Sequence, residues 1–255
     1  MALSVLACAI PLEGQVVQGG LLMGRVAPHT SVTVMGKPVR VSAEGLFLVA
    51  FGRDATKPLQ LKAGLVNCTL QPRKRTYKIT RIDGLPTRKV TPRAPEDLAR
   101  IRADNAAIRE VRRLDTAATD FAGGFQWPVT GRLSGVFGAQ RILNGKPRRY
   151  HNGVDIAAPA GTPIAASAPG RVVLVRQDMF FAGKTVMLDH GHGLTSVYIH
   201  MSAITVKEGQ RVKAGGTIGR VGMTGRATGP HLHWGVTLFG KHVDPHLLAG
   251  PMKEK

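Results

Sequence analysis

Gly229-Pro230-His231-Leu232-His233-Trp234-Gly235-Val236-Thr237-Leu238 opens on a turn pair and continues with strand-forming residues, so it reads as a β-strand carrying two imidazoles. Side chains two apart on a strand project to one face, which makes His231 and His233 point together. Ser196-Val197-Tyr198-Ile199-His200 has the same texture, and the same rule predicts that Tyr198 and His200 share a face. A third fragment, His151-Asn152-Gly153-Val154-Asp155, joins an imidazole to a carboxylate four residues on. Imidazole nitrogen and carboxylate oxygen both suit Zn²⁺, and a catalytic site takes three protein ligands with a fourth position left for water. Two His and one Asp would supply that set, leaving other histidines to handle protons near neutral pH.

Outward from these fragments, residues 125 to 250 read as β throughout. Arg171-Val172-Val173-Leu174-Val175 and Thr185-Val186-Met187-Leu188 are further strands, with Gly-rich turns between them. His190-Gly191-His192 is a competing ligand pair. Its flanking glycines, 191 and 193, predict a hairpin loop, so a structural or rim role is expected for both rings. His242 and His246 flank Asp244-Pro245 and read as surface residues. Both cysteines, Cys8 and Cys68, lie far upstream and no G-x-S-x-G element occurs, so a covalent mechanism has no evident nucleophile.

The N-terminal half differs in texture. Short alternating runs broken by Gly and Pro (Ser31-Val32-Thr33-Val34, Val39-Arg40-Val41, Leu46-Phe47-Leu48-Val49) predict a small β-sandwich-like module over residues 10 to 70. Between Gln71 and Arg113 there are 13 Lys/Arg against five acids. Pro95, Glu96 and Asp97 start a helix expected over 96–114, with arginines towards its end to suit the dipole. Leu98, Ile101, Ile108, Val111 and Leu114 form a narrow apolar stripe, and the segment 71–124 is expected to be a solvated basic linker. Residues 1–9 are apolar and end in Ala7-Cys8-Ala9, the A-x-A pattern of a short export signal, with Val5-Leu6-Ala7-Cys8 as a faint lipidation box. On that reading Cys68 is left without a partner.

The 255 residues carry a net charge of +19 with only 5% aromatics. Such a surface favours polyanions: nucleic acid, anionic lipid or an anionic wall polymer. No apolar run reaches the ~20 residues of a membrane span. Two cysteines exclude a disulfide-stapled scaffold or a cysteine-rich zinc site. No zinc-finger spacing, RNP motif or helix-turn-helix pattern supports nucleic acid. Gly209 to Gly215 and Gly219 to Gly222 echo a biotinyl- or lipoyl-type carrier, but the corresponding turn, Gly222-Met223-Thr224-Gly225, lacks the modifiable lysine.

In order along the chain, Phe137-Gly138-Ala139-Gln140-Arg141, His151-x-Gly153-x-Asp155, Gly161-Thr162-Pro163-Ile164, Asp189-His190-Gly191, Tyr198-x-His200 and Gly229-Pro230-His231-Leu232-His233 resemble the M23 (lysostaphin-like, LytM-type) zinc metallopeptidases. The likeness covers about residues 125 to 250. It implies a mainly β protein whose C-terminal part is an antiparallel β hybrid domain. It further implies one Zn²⁺ per chain held by His151, Asp155 and His233. His200 and His231 would be the catalytic histidines that orient or deprotonate the attacking water and stabilise the oxyanion. Tyr198 would be a supporting or substrate-side residue. The implied substrate is a peptide cross-link of peptidoglycan, with D-alanyl–diaminopimelate the expected bond and glycine bridges the other possibility. The implied location is the periplasm or cell envelope. Relatives that act instead as non-catalytic, wall-binding regulators of amidases have lost some of these residues, whereas none is missing here.

Overall fold

Leu59-Gln60-Leu61-Lys62-Ala63 alternates buried and exposed side chains residue by residue, as a strand with one face on a core must. In the computed structural model, which describes residues 8–252, it is one of seven strands in the first of two units, Met1–Arg75 and Thr76–Lys255. Most of the stretch read as an export signal lies outside the described residues. The strands of the first unit are β1 (Leu12–Gly14), β2 (Leu21–Arg25), β3 (Val32–Val34), β4 (Lys37–Val39), β5 (Leu46–Ala50), β6 (Leu59–Ala63) and β7 (Val66–Leu70). They form two antiparallel sheets, ordered β1-β2-β5 and β4-β3-β6-β7. Leu22, Phe47 and Val49 from one sheet and Val32, Leu61 and Leu70 from the other share a single core. The second hairpin closes earlier than its sequence suggests. Met35 and Gly36, at φ 53° and 74°, make a two-residue turn that pairs Val34 with Lys37.

Two expectations change in this unit. Cys8 is disulfide-bonded to Cys68 on β7, with Cα atoms 5.3 Å apart. Cys68 therefore has a partner, and Cys8 is neither a lone thiol nor open to lipidation in this state. The reason is packing: Ile10 is buried in the same core as Cys68, and Cys8 and Leu12 pack against that core. The unit also runs past residue 70. Val17 bridges Arg73, and the Arg75 guanidinium donates to the Gln18 carbonyl at 3.1 Å.

The second unit holds β8 (Ile79–Ile82), α1 (Thr87–Val90), α2 (Pro95–Val111), β9 (Arg132–Gly135), β10 (Gln140–Leu143), β11 (Lys146–Pro147), β12 (Val154–Ala157), β13 (Pro163–Ala165), β14 (Gly170–Met179), β15 (Gly183–Gly191), β16 (Leu194–Met201), β17 (Ala203–Ile204), β18 (Arg211–Val212), β19 (Thr217–Arg220), β20 (His231–Leu238), β21 (Lys241–Val243) and α3 (Pro245–Ala249). The main sheet runs β18-β14-β15-β16-β20-β12-β9, with β21 also on β20. Its pairs are all antiparallel. Small sheets β13-β19-β17 and β11-β10-β8 complete the unit.

Helix α2 appears where Pro95 at its first turn and Glu96 and Asp97 behind it predict. It is not a solvated linker. Val111 is buried with Leu174, Met179 and Met187, and Ile108 and Leu114 pack beside them. Only the C-terminal part of the apolar stripe does this work, and Leu98 remains exposed. Arg88 pairs with the buried Asp97, while the Asp104 carboxylate accepts the Phe180 N–H at 2.8 Å. Residues 76–124 thus belong to the second unit. The predicted hairpin after β15 is present: His192 and Gly193 have φ 51° and 78°, the two left-handed positions that a tight turn of this class requires. No helix among the described residues is long and apolar enough to cross a membrane.

Candidate active site

Strands β12 and β20 pair in a register that sets Asp155 opposite His233 and Ala157 opposite His231. Opposed residues share a face, so Asp155, His233 and His231 all emerge on one side of the sheet. His151 reaches the same spot from the loop before β12. Its backbone N–H donates to Ala139 O and its carbonyl accepts from Gly138 N, both at 2.8 Å. His151 Nε2 lies 2.9 Å from Asp155 Oδ1 and 2.8 Å from His233 Nδ1, and His233 Nδ1 lies 2.7 Å from the same oxygen. Gly153 is required by this convergence, because a Cβ there would sit 2.9 Å from the His233 ring and 2.3 Å from the Trp234 carbonyl.

The backs of these groups are tied down as well. Val136 O can only accept, so at 3.0 Å it takes the Nδ1 proton of His151 and leaves Nε2 as a donor of electrons. Arg141 holds the other carboxylate oxygen, Oδ2 of Asp155. Burial opposes charge on Asp155, yet His151 and His233 together hold its carboxyl well below the usual carboxylate range. Burial lowers the His233 imidazole to about 4, against the pull of Asp155. A carboxylate oxygen and two imidazole nitrogens, with His151 and Asp155 oriented from behind by Val136 O and Arg141, fit Zn²⁺.

His200 and His231 stand beside this cluster, their ring centroids 4.8 Å apart. His200 Nδ1 donates to Thr224 O and His231 Nδ1 to Gly229 O, each at 2.8 Å, so both rings turn an Nε2 outward. His231 Nε2 is 4.0 Å from Asp155 Oδ1, too far for a hydrogen bond. Burial, with His231 and His233 as neighbours, lowers the His200 imidazole to about 3.

Tyr198 is not with them. It pairs across the sheet with Trp234, as Ile199 does with His233, so it occupies the face opposite the cluster. Its fully buried hydroxyl bonds Ser167 Oγ at 2.6 Å and accepts from Ser196 Oγ at 3.2 Å, and it reaches no site residue. The alternation rule fails at the next step because β16 leaves regular pairing there. The register shifts between Lys184 and Val186, the His200 N–H donates to Ala182 O, and His200 takes φ 65°. The bulge turns its ring back to the side of His233.

The remaining histidines of the second unit lie outside this cluster. His190 is fully buried, bonded to Pro169 O at 2.5 Å and Ser196 Oγ at 2.7 Å, and burial lowers its pKa. His192 is buried in the turn against Phe121 rather than at a rim. His246 is exposed beside Trp127. His242 departs from the surface reading: its ring lies 3.5 Å from Asn152 Nδ2, and burial, with Arg112 and His233 nearby, lowers it to about 3.

A cleft of about 280 Å³ opens over the cluster, lined by Asp155, His200 and His231 on one side and by Thr80, Ile82 and Leu85 on another. The second wall comes from the segment read as linker. It is held in place because β8 pairs in parallel with β10, an association without a local sequence signal. Arg81, Arg141 and Arg226 also border the cleft. Arg141 stands within the quoted Phe137–Arg141 fragment without a role assigned from sequence, and Arg226, in a turn, carried no signal.

The profile of Peptidase family M23 matches residues 149–245. A crystal structure assigned to peptidase M23 from Pseudomonas aeruginosa is similar over 92% of this chain and 96% of its own, with TM-score 0.70 and 35% identity. Among curated relatives, the DD-carboxypeptidase/endopeptidase Mpg of Neisseria meningitidis serogroup B is 41% identical over 134 residues, 52% of this chain and 31% of its own length. The peptidoglycan DD-endopeptidase ShyA of Vibrio cholerae is 46% identical over 122 residues, 48% of this chain and 28% of its own. The chain thus spans about a third of the length of these curated relatives. With the motif order, the antiparallel β architecture and this similarity in agreement, the chain belongs to peptidase family M23.

Proposed function

We propose that this protein is a zinc-dependent endopeptidase that hydrolyses peptide cross-links of peptidoglycan, at D-alanyl–diaminopimelate bonds. The observation that carries the reading is the convergence of His151, Asp155 and His233 on one point, with His200 and His231 turning Nε2 towards the same cleft. The names of Mpg and ShyA support the substrate and the DD stereochemistry. The +19 charge suits an anionic wall polymer, and the location that follows is the periplasm or envelope.

His151 Nε2, His233 Nδ1 and Asp155 Oδ1 would hold the ion, and Arg141 keeps Asp155 oriented by occupying Oδ2. When bound, Zn²⁺ polarises a scissile carbonyl and lowers the pKa of water towards ~7. His200 enters neutral with Nε2 free, because its Nδ1 proton belongs to Thr224 O, so it can accept a proton from the attacking water. The proton that His200 takes from the water is the one returned to the leaving amine, while His231, its ring centroid 4.8 Å from that of His200 and its Nδ1 proton held by Gly229 O, presents an Nε2 lone pair that can orient the water. Tyr198 supports β16 from the far face. Overall, water adds to the carbonyl carbon, the C–N bond breaks, and a carboxylate and an amine leave.

The test is mass spectrometry of fragments from defined cross-linked muropeptides, with zinc content measured on the same sample. Release of a tetrapeptide ending in D-alanine supports the reading. Full zinc without any hydrolysis refutes it in favour of a wall-binding regulator.

A further inference from the structure

Among the residues lining the cleft, three arginines face a single acid, Asp155, and that acid is occupied by Arg141 and the histidines. Arg81 and Arg226 are the cations left over, and Arg226 is the less exposed of the two. Its guanidinium lies 4.4 Å from the centroid of the Phe181 ring, and one Nη donates to Lys89 O at 3.2 Å. These contacts fix the head and leave four of its five N–H donors for something else. It is half-buried, and burial with Arg141 and Arg148 close by lowers its pKa from 12.5 to about 10, so it stays charged at neutral pH. A half-buried cation surrounded by like charge costs stability. A ligand that brings a carboxylate would satisfy it bidentately. Exposed Arg81, on the opposite wall, adds attraction in the same direction.

We propose that Arg226 is a specificity residue that binds the substrate's carboxylate on the carbon bearing the scissile amide nitrogen. This rests on the hydrolase reading above and selects the bond within it. In a D-alanyl–diaminopimelate cross-link the nitrogen sits on a carbon that also carries a free carboxylate, which places that carboxylate three bonds from the carbonyl carbon under attack. A C-terminal D-alanine offers the same group. Within a glycine bridge the corresponding carboxyl is already part of the next amide, so Arg226 meets no anion there. The cleft therefore favours the first class over the second.

Two synthetic dimers test this, identical except that the carboxylate beside the scissile nitrogen is free in one and a carboxamide in the other. The zinc-loaded protein should prefer the acid by ~10–100-fold in kcat/KM, the usual worth of a hydrogen-bonded charge pair. In Arg226→Gln the acid-to-amide ratio should collapse to about one, and Arg226→Lys should restore part of it. Calorimetric binding of the amine-side product should weaken ~10-fold in Arg226→Gln, a readout independent of turnover. A wild type that cleaves acid and amide equally well overturns the proposal. So does an Arg226→Gln protein that keeps the wild-type ratio while losing rate on both, because Arg226 would then merely pin the turn to Lys89. Preference for a glycine-bridged peptide overturns it while leaving the hydrolase intact. Cleavage of no cross-link at all refutes the hydrolase reading, and this one with it.

Discussion

His200 is the place where aim and backbone strain meet, and a pair of substitutions separates them. A residue with a Cβ at φ 65° is destabilised by roughly 1–2 kcal/mol relative to right-handed geometry, whereas glycine adopts that region freely. In an ordinary strand glycine is the worse residue, by roughly 0.5–1 kcal/mol against alanine. His200→Ala and His200→Gly lose the same buried ring and the same bond to Thr224 O, so their difference isolates the backbone. The expected order is inverted: His200→Gly should be more stable than His200→Ala by about 1 kcal/mol. For a unit of this size that is about 2–4 °C in midpoint. The assay is thermal unfolding of both variants in chelator, which keeps metal binding out of the comparison. Ile199→Ala and Ile199→Gly serve as the control one residue away on the regular ladder, where alanine should win. If alanine is as stable as glycine at position 200, the bulge does not hold the ring by force and the account of its aim is wrong. Both position-200 variants should be inactive.

Elemental analysis should find zinc largely lost from Asp155→Ala and His233→Ala, and close to one zinc per chain in His200→Ala and His231→Ala, with hydrolysis of cross-linked muropeptides down ~10²–10⁴-fold in the latter pair; zinc lost from His231→Ala but kept by His233→Ala would exchange the two roles. The metal-free protein should lose stability as pH falls. His200, His233 and His242 are held near 3 to 4 when folded and near 6.5 when unfolded, so below about 6.5 the unfolded chain binds the extra protons, and a urea midpoint unchanged between pH 7.5 and 4.5 would contradict this. Reduction of Cys8–Cys68 should lower the stability of the N-terminal unit by about 2–4 kcal/mol while zinc content stays constant, and equal melting of reduced and oxidised protein would count against that cystine. Replacing exposed Arg73 and Lys74 with Gln should weaken pull-down by insoluble peptidoglycan at low salt and matter little at high salt, without slowing turnover of a small soluble muropeptide.

What the sequence disclosed and what it hid divide along one line, the distance over which a residue's role is decided. His231 and His233 could be paired from two positions of a strand, and the hairpin at His192-Gly193 from its glycines, because neighbours alone set those geometries. Alternation makes Tyr198 and His200 face-mates, but a bulge, set by pairing with β15, interrupts it between them. The helix at 95–111 was visible, but its basic surface masked the few residues, Ile108, Val111 and Leu114, that dock it. The parallel pairing of β8 with β10 joins segments about 60 residues apart, and no local pattern announces it. The same holds for Cys8, whose apolar surroundings suit a signal and a core equally well.

The orientation of the site follows a rule that motifs cannot record. His151, His200 and His231 each give an Nδ1 proton to a main-chain carbonyl, of Val136, Thr224 and Gly229 respectively. Each bond decides which ring nitrogen faces the cleft. A carbonyl is present whatever side chain its residue carries, so positions 136, 224 and 229 need not be histidine partners in any chemical sense. They need only be held at the right place by the turns around them. The sequence therefore spells out the imidazoles and the carboxylate, whereas their tautomers are set by the path of the backbone, which only the folded chain defines.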